Sequence, residues 1–247
     1  MIIIIKGNQL TAILDAHIHI SSLDDFFHPE NYYFLNATHE KNWDLVLAKA
    51  ELNEKITPFI GIHPWFVPTV KPGWQNKLVA LLKEYPRCGV GEIGLDRVKG
   101  QSNFDAQMEL FTSQLLIARE FHRPVSIHCV HSFDVLFHIF KKNQLTHLQG
   151  ILHRFEAGVE VVKRLLSLGF SISFYYNLHE REKLKSAFLS CPTDKIFLES
   201  DAGEGADDSA LLEHYQNNSK LLKIDNTCLI RMIRNNGEIL TDTEFNR

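Results

Sequence analysis

Ile13-Leu-Asp15-Ala-His17-Ile-His19-Ile20 is the stretch on which the fold turns. A short run of apolar and β-branched residues reads as a strand. Residues i and i+2 share one side of a strand, so His17 and His19 point the same way near its C-terminal end. Similar runs follow at Tyr32–Ala37, Thr57–Ile62, Gly89–Ile93, Val125–Cys129, Gly150–His153, Phe170–Phe174 and Lys195–Glu199. Between them apolar residues recur at helical spacing, most clearly over Trp43–Leu52, Gln75–Glu84, Phe104–Phe121, Phe133–Lys142, Val159–Leu168 and Glu180–Leu189. Pro58, Pro86, Pro124 and Pro192 fall just before or at the start of strands, where a helix must already have ended. Strand–helix alternation means a parallel sheet, and eight units predict an α/β fold, a TIM-type (β/α)8 barrel. Its first crossover is shortened, because Ser21–Asn31 is too short for a full helix. The stretch after Leu222 has only a weak periodic pattern. No Gly-rich phosphate loop appears, which disfavours an open nucleotide-binding sheet.

Nothing in the composition divides the 247 residues: no Pro/Gly/Ser-rich linker, charge block or low-complexity tract is present. Residues 1–247 are therefore expected to form a single barrel domain, a usual size for this architecture. The opening Met1–Lys6 run is too short for a signal peptide or a membrane span, and reads as a short strand. Cys88, Cys129, Cys191 and Cys228 are widely spaced, with no C-x-x-C pair. That predicts reduced thiols in a cytoplasmic protein, without a disulfide framework or a cysteine-type zinc site. The formal net charge of −4 argues against a protein that holds duplex DNA by phosphate neutralisation over its whole surface. No membrane association and no protein partner are implied.

Barrel active sites lie at the C-terminal ends of the strands, and the chemistry-bearing residues gather there. The first strand ends in His17 and His19, the third run is followed by His63-Pro-Trp65, and the fourth carries Glu92 and leads to Asp96. The fifth ends at His128, the sixth at His153, and the eighth runs into Glu199-Ser-Asp201. A buried carboxylate without a partner is costly. Imidazoles and carboxylates together suit divalent transition metals, so His17, His19, Glu92, His128, His153 and Asp201 are read as a metal site. Two divalent ions would bring about +4, Glu92 and Asp201 about −2, and one hydroxide about −1. The remaining positive charge favours an anionic substrate such as a phosphate ester.

Six motifs taken together resemble the TatD-type metal-dependent deoxyribonucleases, within the larger amidohydrolase-like barrels. They are Asp15-Ala-His17-Ile-His19, Gly61-Ile-His63-Pro, Gly91-Glu92-Ile-Gly-Leu-Asp96, Pro124-Val-Ser-Ile-His128, His153-Arg-Phe155 and Glu199-Ser-Asp201-Ala. A weaker echo of the family ending stands in Thr241-Asp-Thr-Glu-Phe-Asn-Arg247. The resemblance implies that His17 and His19 hold one metal and His128 and His153 another, bridged by Glu92. Asp201 would bind metal and activate the attacking water, making it and Glu92 the catalytic pair. His63 would face the substrate phosphate; apart from the resemblance, Arg154 is a candidate phosphate contact. The resemblance implies two divalent ions (Mg, Mn or Zn) and DNA or a small phosphate ester as substrate. The chain departs from the family pattern in having no arginine close after His128, a later glycine after His153, and Gly203 where proline is common.

Plainer readings stand beside these. Glu92 could pair with Arg97, Asp201 could cap the following segment, His63 could be a packed His-Pro corner, and Arg154 an ordinary surface charge. His131 could begin the next helix. Two other functions compete: an amidohydrolase or lactonase on a small substrate, and a binding protein with a decayed site. The former is disfavoured by a glutamate, not a lysine, at the bridging position on the fourth strand.

Overall fold

A computed structural model describes residues 12–99, 101–146, 148–203 and 207–242. Met1–Lys6, His147 and the end of the C-terminal motif therefore lie outside the described residues. Among the described residues eight strands follow one another, with an α-helix in each connection from the second strand onward and two after the last strand. They are β1 (Leu14–Ile18), β2 (Tyr32–Asn36), β3 (Ile56–Phe59), β4 (Val90–Asp96), β5 (Val125–Val130), β6 (Gly150–Leu152), β7 (Ser171–Phe174) and β8 (Ile196–Leu198). The helices are α1 (Trp43–Leu52), α2 (Trp74–Glu84), α3 (Phe104–Glu120), α4 (Phe133–Lys142), α5 (Val159–Ser167), α6 (Glu182–Ser190), α7 (Asp208–Leu222) and α8 (Asn226–Thr241).

All strand pairings are parallel, β1-β2-β3 in one set and β4 through β8 in sequence order in the other. Backbone bonds join the sets at both seams. Between β3 and β4, Gly89 N donates to Pro58 O at 2.9 Å and Gly91 N to Ile60 O at 3.2 Å. Past the ends of β8 and β1, Asp201 N donates to His17 O at 3.0 Å and His19 N to Ala202 O at 2.8 Å. The sheet thus closes on itself as a TIM-type barrel.

The strands bury almost every residue on both faces, which is why they read as near-continuous apolar runs. On α4 the buried residues Leu136, Phe137, Ile139 and Phe140 form the inward stripe that the periodicity predicts. Burying each such side chain stabilises the fold by roughly 1.5–3 kcal/mol.

As expected, no helix forms over Ser21–Asn31. The underside of β1 is covered from elsewhere. α8 packs against β1 and β8, and Tyr215 of α7 donates its hydroxyl to Leu14 O at 2.7 Å. The weak pattern after Leu222 is corrected here: α8 is a sixteen-residue helix capped by Asp225, whose side chain accepts from Thr227 N. Its buried face includes Asn236 and Gly237 beside Leu229, Ile230, Ile233 and Leu240, which blurs the apolar stripe. Asn236 is satisfied there, donating to Thr193 O and Ile196 O at 2.8 and 3.0 Å. Among the described residues no helix is long and apolar enough to cross a membrane.

Candidate metal centre

Two strands that carry central residues are irregular where those residues sit. The β1–β2 register shifts between Asp15 and Ile18, and the β4–β5 register between Val90 and Ile93. Such bulges re-aim side chains. At the second, Glu92 N leaves the ladder and donates to Ala37 O at 2.7 Å. Glycine lets the same two strands approach closely, since a Cβ on Gly94 would stand 1.9 Å from His128 O.

Glu92 is the hub. Its Oε1 lies 2.7 Å from His153 Nε2, 3.1 Å from His128 Nδ1 and 3.3 Å from His63 Nε2. Its Oε2 lies 3.4 Å from His19 Nε2 and 3.5 Å from His17 Nε2. Burial pushes the Glu92 carboxyl up, but the charges of His63 and His153 and hydrogen bonds from His128 and His153 hold it well below the usual carboxylate range. Burial, reinforced by the charge of His153, takes His17 down to about 4. His153 moves the other way: burial opposes protonation, and the Glu92 charge and the Glu199 contact outweigh it. The rings of His17 and His153 stack with centroids 3.8 Å apart, so charging both is unfavourable.

Each ligand-type imidazole is steadied from behind, as metal-binding histidines usually are. His19 Nδ1 is 2.8 Å from Asn36 O, an acceptor only, so the proton sits on Nδ1 and the Nε2 lone pair faces the centre. His17 Nδ1 is 3.1 Å from Ser126 Oγ. His128 Nε2 is 3.3 Å from Asp96 Oδ2, and His153 Nδ1 is 3.5 Å from Glu199 Oε1. Asp96 also accepts from Trp65 Nε1 at 2.7 Å and from the amides of Val98 and Lys99. Burial raises Asp96, yet these donors, His128 foremost, bring its carboxyl below the ordinary range.

Asp201 closes the ring. Its Oδ1 is 3.8 Å from His19 Nε2, and its Oδ2 accepts from Arg154 Nη1. Burial works against its ionisation, but His153 and His17 together keep the carboxyl below its usual value. The loop that carries it is pinned by buried Asp15, which accepts from Ser200 Oγ at 2.5 Å, Ser200 N at 3.0 Å and His17 N at 3.2 Å.

The six residues read as ligands therefore meet around one centre. Donor atoms of three trios lie within 4.8 Å of one another: His17, His19 and Glu92; His63, Glu92 and His128; His17, His153 and Asp201. His63, read as a substrate contact, stands inside ligand reach while also forming the packed corner, where its Nδ1 accepts from Trp65 N at 3.2 Å. Five imidazoles and two carboxylates, most of them buried, form a mixed N/O donor set that fits divalent transition metals.

The plainer readings resolve by contact. Arg97 pairs with Asp134, at 3.0 and 3.1 Å, and not with Glu92. α7 is capped by Asp207, not Asp201. Arg154 is half-exposed, and its guanidinium lies 4.6 Å above the Tyr175 ring. His131 precedes Ser132, the N-cap of α4, and is among the residues lining the cleft. The supporting roles of Asp96, Glu199, Ser126 and Asn36 were not assigned from sequence. Asp96 and Glu199 stand in the quoted motifs, but each acts through another side chain.

The centre opens into a cleft of about 870 Å³. Trp65, Phe66 and Phe133 give it aromatic walls, and Lys99, Arg154, Arg181 and Lys183 line it together with Glu92, Asp96, Glu156 and Asp201; Arg181 pairs with Glu156 and Arg154 with Asp201.

The chain has relatives among known proteins. The uncharacterized metal-dependent hydrolase YjjV of Escherichia coli K12 is 28% identical over 170 residues, covering 67% of this chain and 65% of the relative. The 3'-5' ssDNA/RNA exonuclease TatD of Klebsiella pneumoniae is 29% identical over 146 residues, covering 58% of this chain and 55% of the relative. The chain thus spans somewhat less than two thirds of one of these relatives and about half of the other. The crystal structure of the E. coli YjjV TatD homologue superposes with a TM-score of 0.84 at 22% identity, over 95% of this chain and 100% of that one. Residues 14–203, spanning β1 to the loop that bears Asp201, match the family described as TatD related DNase. With the same barrel underneath and that match across its catalytic rim, the chain belongs to the TatD related DNase family.

Proposed function

We propose that this chain is a divalent-metal-dependent phosphodiesterase acting on single-stranded nucleic acid. One observation carries the reading: both oxygens of a buried glutamate are faced by imidazole nitrogens arriving from separate strands. A carboxylate so placed can bridge two cations. His17, His19 and Asp201 would complete one set; His128 and His153 the other, with His63 in the same reach. Bound there, divalent ions (Mg, Mn or Zn) would supply an acidified water and neutralise charge on phosphoryl oxygens.

The protein's own groups do the rest. Asp201 stays ionised and so can take a proton from the attacking water. Arg154, paired with Asp201 and half-exposed at the cleft, would hold a non-bridging phosphate oxygen. Aromatic walls with interspersed cations suit unpaired nucleotides, whose bases stack and whose phosphates need countercharge. The four lysines and arginines of the cleft are matched by Glu92, Asp96, Glu156 and Asp201, so the excess positive charge that a phosphate needs would come from the bound ions.

Element-resolved metal analysis, followed by a panel of single-stranded DNA, duplex DNA, phosphate monoester and lactone with Mg, Mn and Zn, tests this. Cleavage of single-stranded DNA that stops on chelation is expected. Lactone turnover with intact DNA would move the chain to the small-substrate amidohydrolases.

A further inference from the structure

The hydrolytic reading gives the cleft aromatic walls without saying which ring takes the base beside the scissile phosphate. Trp43 and Trp74 are buried, whereas Trp65 is 44% exposed in the wall of the cleft. It is not a loose surface residue. Its Nε1 donates to Asp96 Oδ2 at 2.7 Å, and its ring stands edge to face against His63, centroids 4.7 Å apart at 81°. The ammonium of exposed Lys99 sits 3.7 Å from the ring centroid. An indole fixed at its edge presents a large flat surface to the cleft at little further entropic cost.

One carboxylate sets where this surface lies. Asp96 Oδ2 takes both Trp65 Nε1 and His128 Nε2, and the Trp65 and His128 rings are 6.0 Å apart. A nucleotide with its phosphate at the ligand cluster therefore has its base beside the indole. We propose that Trp65 is the stacking platform for the nucleobase next to the scissile phosphate, with Lys99 as the flanking phosphate contact. This rests on the nucleic-acid reading above. The base takes the place of the ammonium on the ring face, and the flexible Lys99 stem turns to the backbone. Every base has a π face, so the subsite distinguishes unpaired bases from none and does not choose among them.

The test uses the metal-loaded full chain and a phosphorothioate-linked oligothymidylate that resists cleavage. A base-free deoxyribose-phosphate oligomer of equal length is the control. Tryptophan emission reports Trp65, and anisotropy of a labelled oligomer reports affinity. The thymidylate should quench emission and the base-free oligomer should not. Trp65→Ala should bind thymidylate about tenfold more weakly, Trp65→Phe within about threefold of wild type, and both should bind the base-free oligomer as wild type does. Equal thymidylate affinity in Trp65→Ala, or equal quenching by both oligomers, overturns the platform. If wild type still cleaves ordinary oligothymidylate and Trp65→Ala keeps its KM, the platform alone falls. If wild type neither binds nor cleaves any oligomer, the nuclease reading falls with it.

Discussion

Glu92 has five imidazole nitrogens within 3.5 Å of its two oxygens, and no lysine or arginine pairs with it among the described residues. A buried carboxylate is stable in that setting only through those rings and whatever cation they share. Asp201 differs, because one oxygen faces the cluster and the other an exposed guanidinium. Its proposed role as proton acceptor makes a distinct prediction. Asp201→Asn keeps an oxygen toward His19 but cannot accept a proton at neutral pH. Turnover should fall about a thousandfold with the far-ultraviolet circular dichroism unchanged. An Asn variant at near wild-type kcat would remove Asp201 from the chemistry. Reading these roles from sequence reached as far as the first contact. His17, His19, Glu92, His128, His153 and Asp201 announce themselves as ionisable groups at strand ends. Asp96 and Glu199 are equally ionisable, but nothing in linear order says that one backs His128 and the other His153.

At the scale of elements, α7 shows why the last two helices were harder to read than the strands. Its inner face carries His214, Asn218 and Ser219 beside Leu211 and Tyr215, so polar residues interrupt the stripe on which periodicity depends. His214 is buried, its Nε2 3.0 Å from Phe174 O on β7 and its Nδ1 3.1 Å from Asn218 Nδ2. Burial lowers its pKa to about 4. The unfolded chain binds a proton at this ring near pH 6.5 while the folded chain still refuses it. Stability from this group is therefore complete above pH 6.5 and is lost as pH falls toward 4. Between pH 7 and pH 5 it should account for about 2 kcal/mol of lost stability. Urea denaturation of His214→Gln should give a pH 7-to-5 difference smaller by that amount, even if the variant is less stable throughout. An unchanged difference would assign the acid sensitivity elsewhere. β1 and β4 teach the complementary lesson. Their positions along the chain were legible, but not the register shifts that turn His17 and Glu92 inward, since a bulge depends on what the neighbouring strand offers.

For the molecule as a whole, the ligand cluster joins β1, β4, β5 and the loops after β3, β6 and β8, so occupancy by cations should tie both seams of the barrel together. A ligand that binds only the folded state adds about 2.7 kcal/mol at a hundred times its dissociation constant. For a chain of this length that is a rise in Tm of roughly 5–10 °C, reversed by a chelator. Thermal unfolding of metal-stripped protein, with and without Mn or Zn, measures it; identical curves would mean that the cluster does not bind these ions in solution. The amino-acid order alone determined the succession of strands and helices as far as β8, the parallel barrel, and which six side chains stand at its rim, because period and strand polarity are local properties of the chain. Tertiary structure alone decided that His63 joins the ligand cluster, that Arg154 reaches Asp201, and that Asp96 serves Trp65 and His128 together. Those facts rest on distances across the barrel mouth, set by bulges, glycine contacts and closure of the sheet, and no spacing along the chain encodes them.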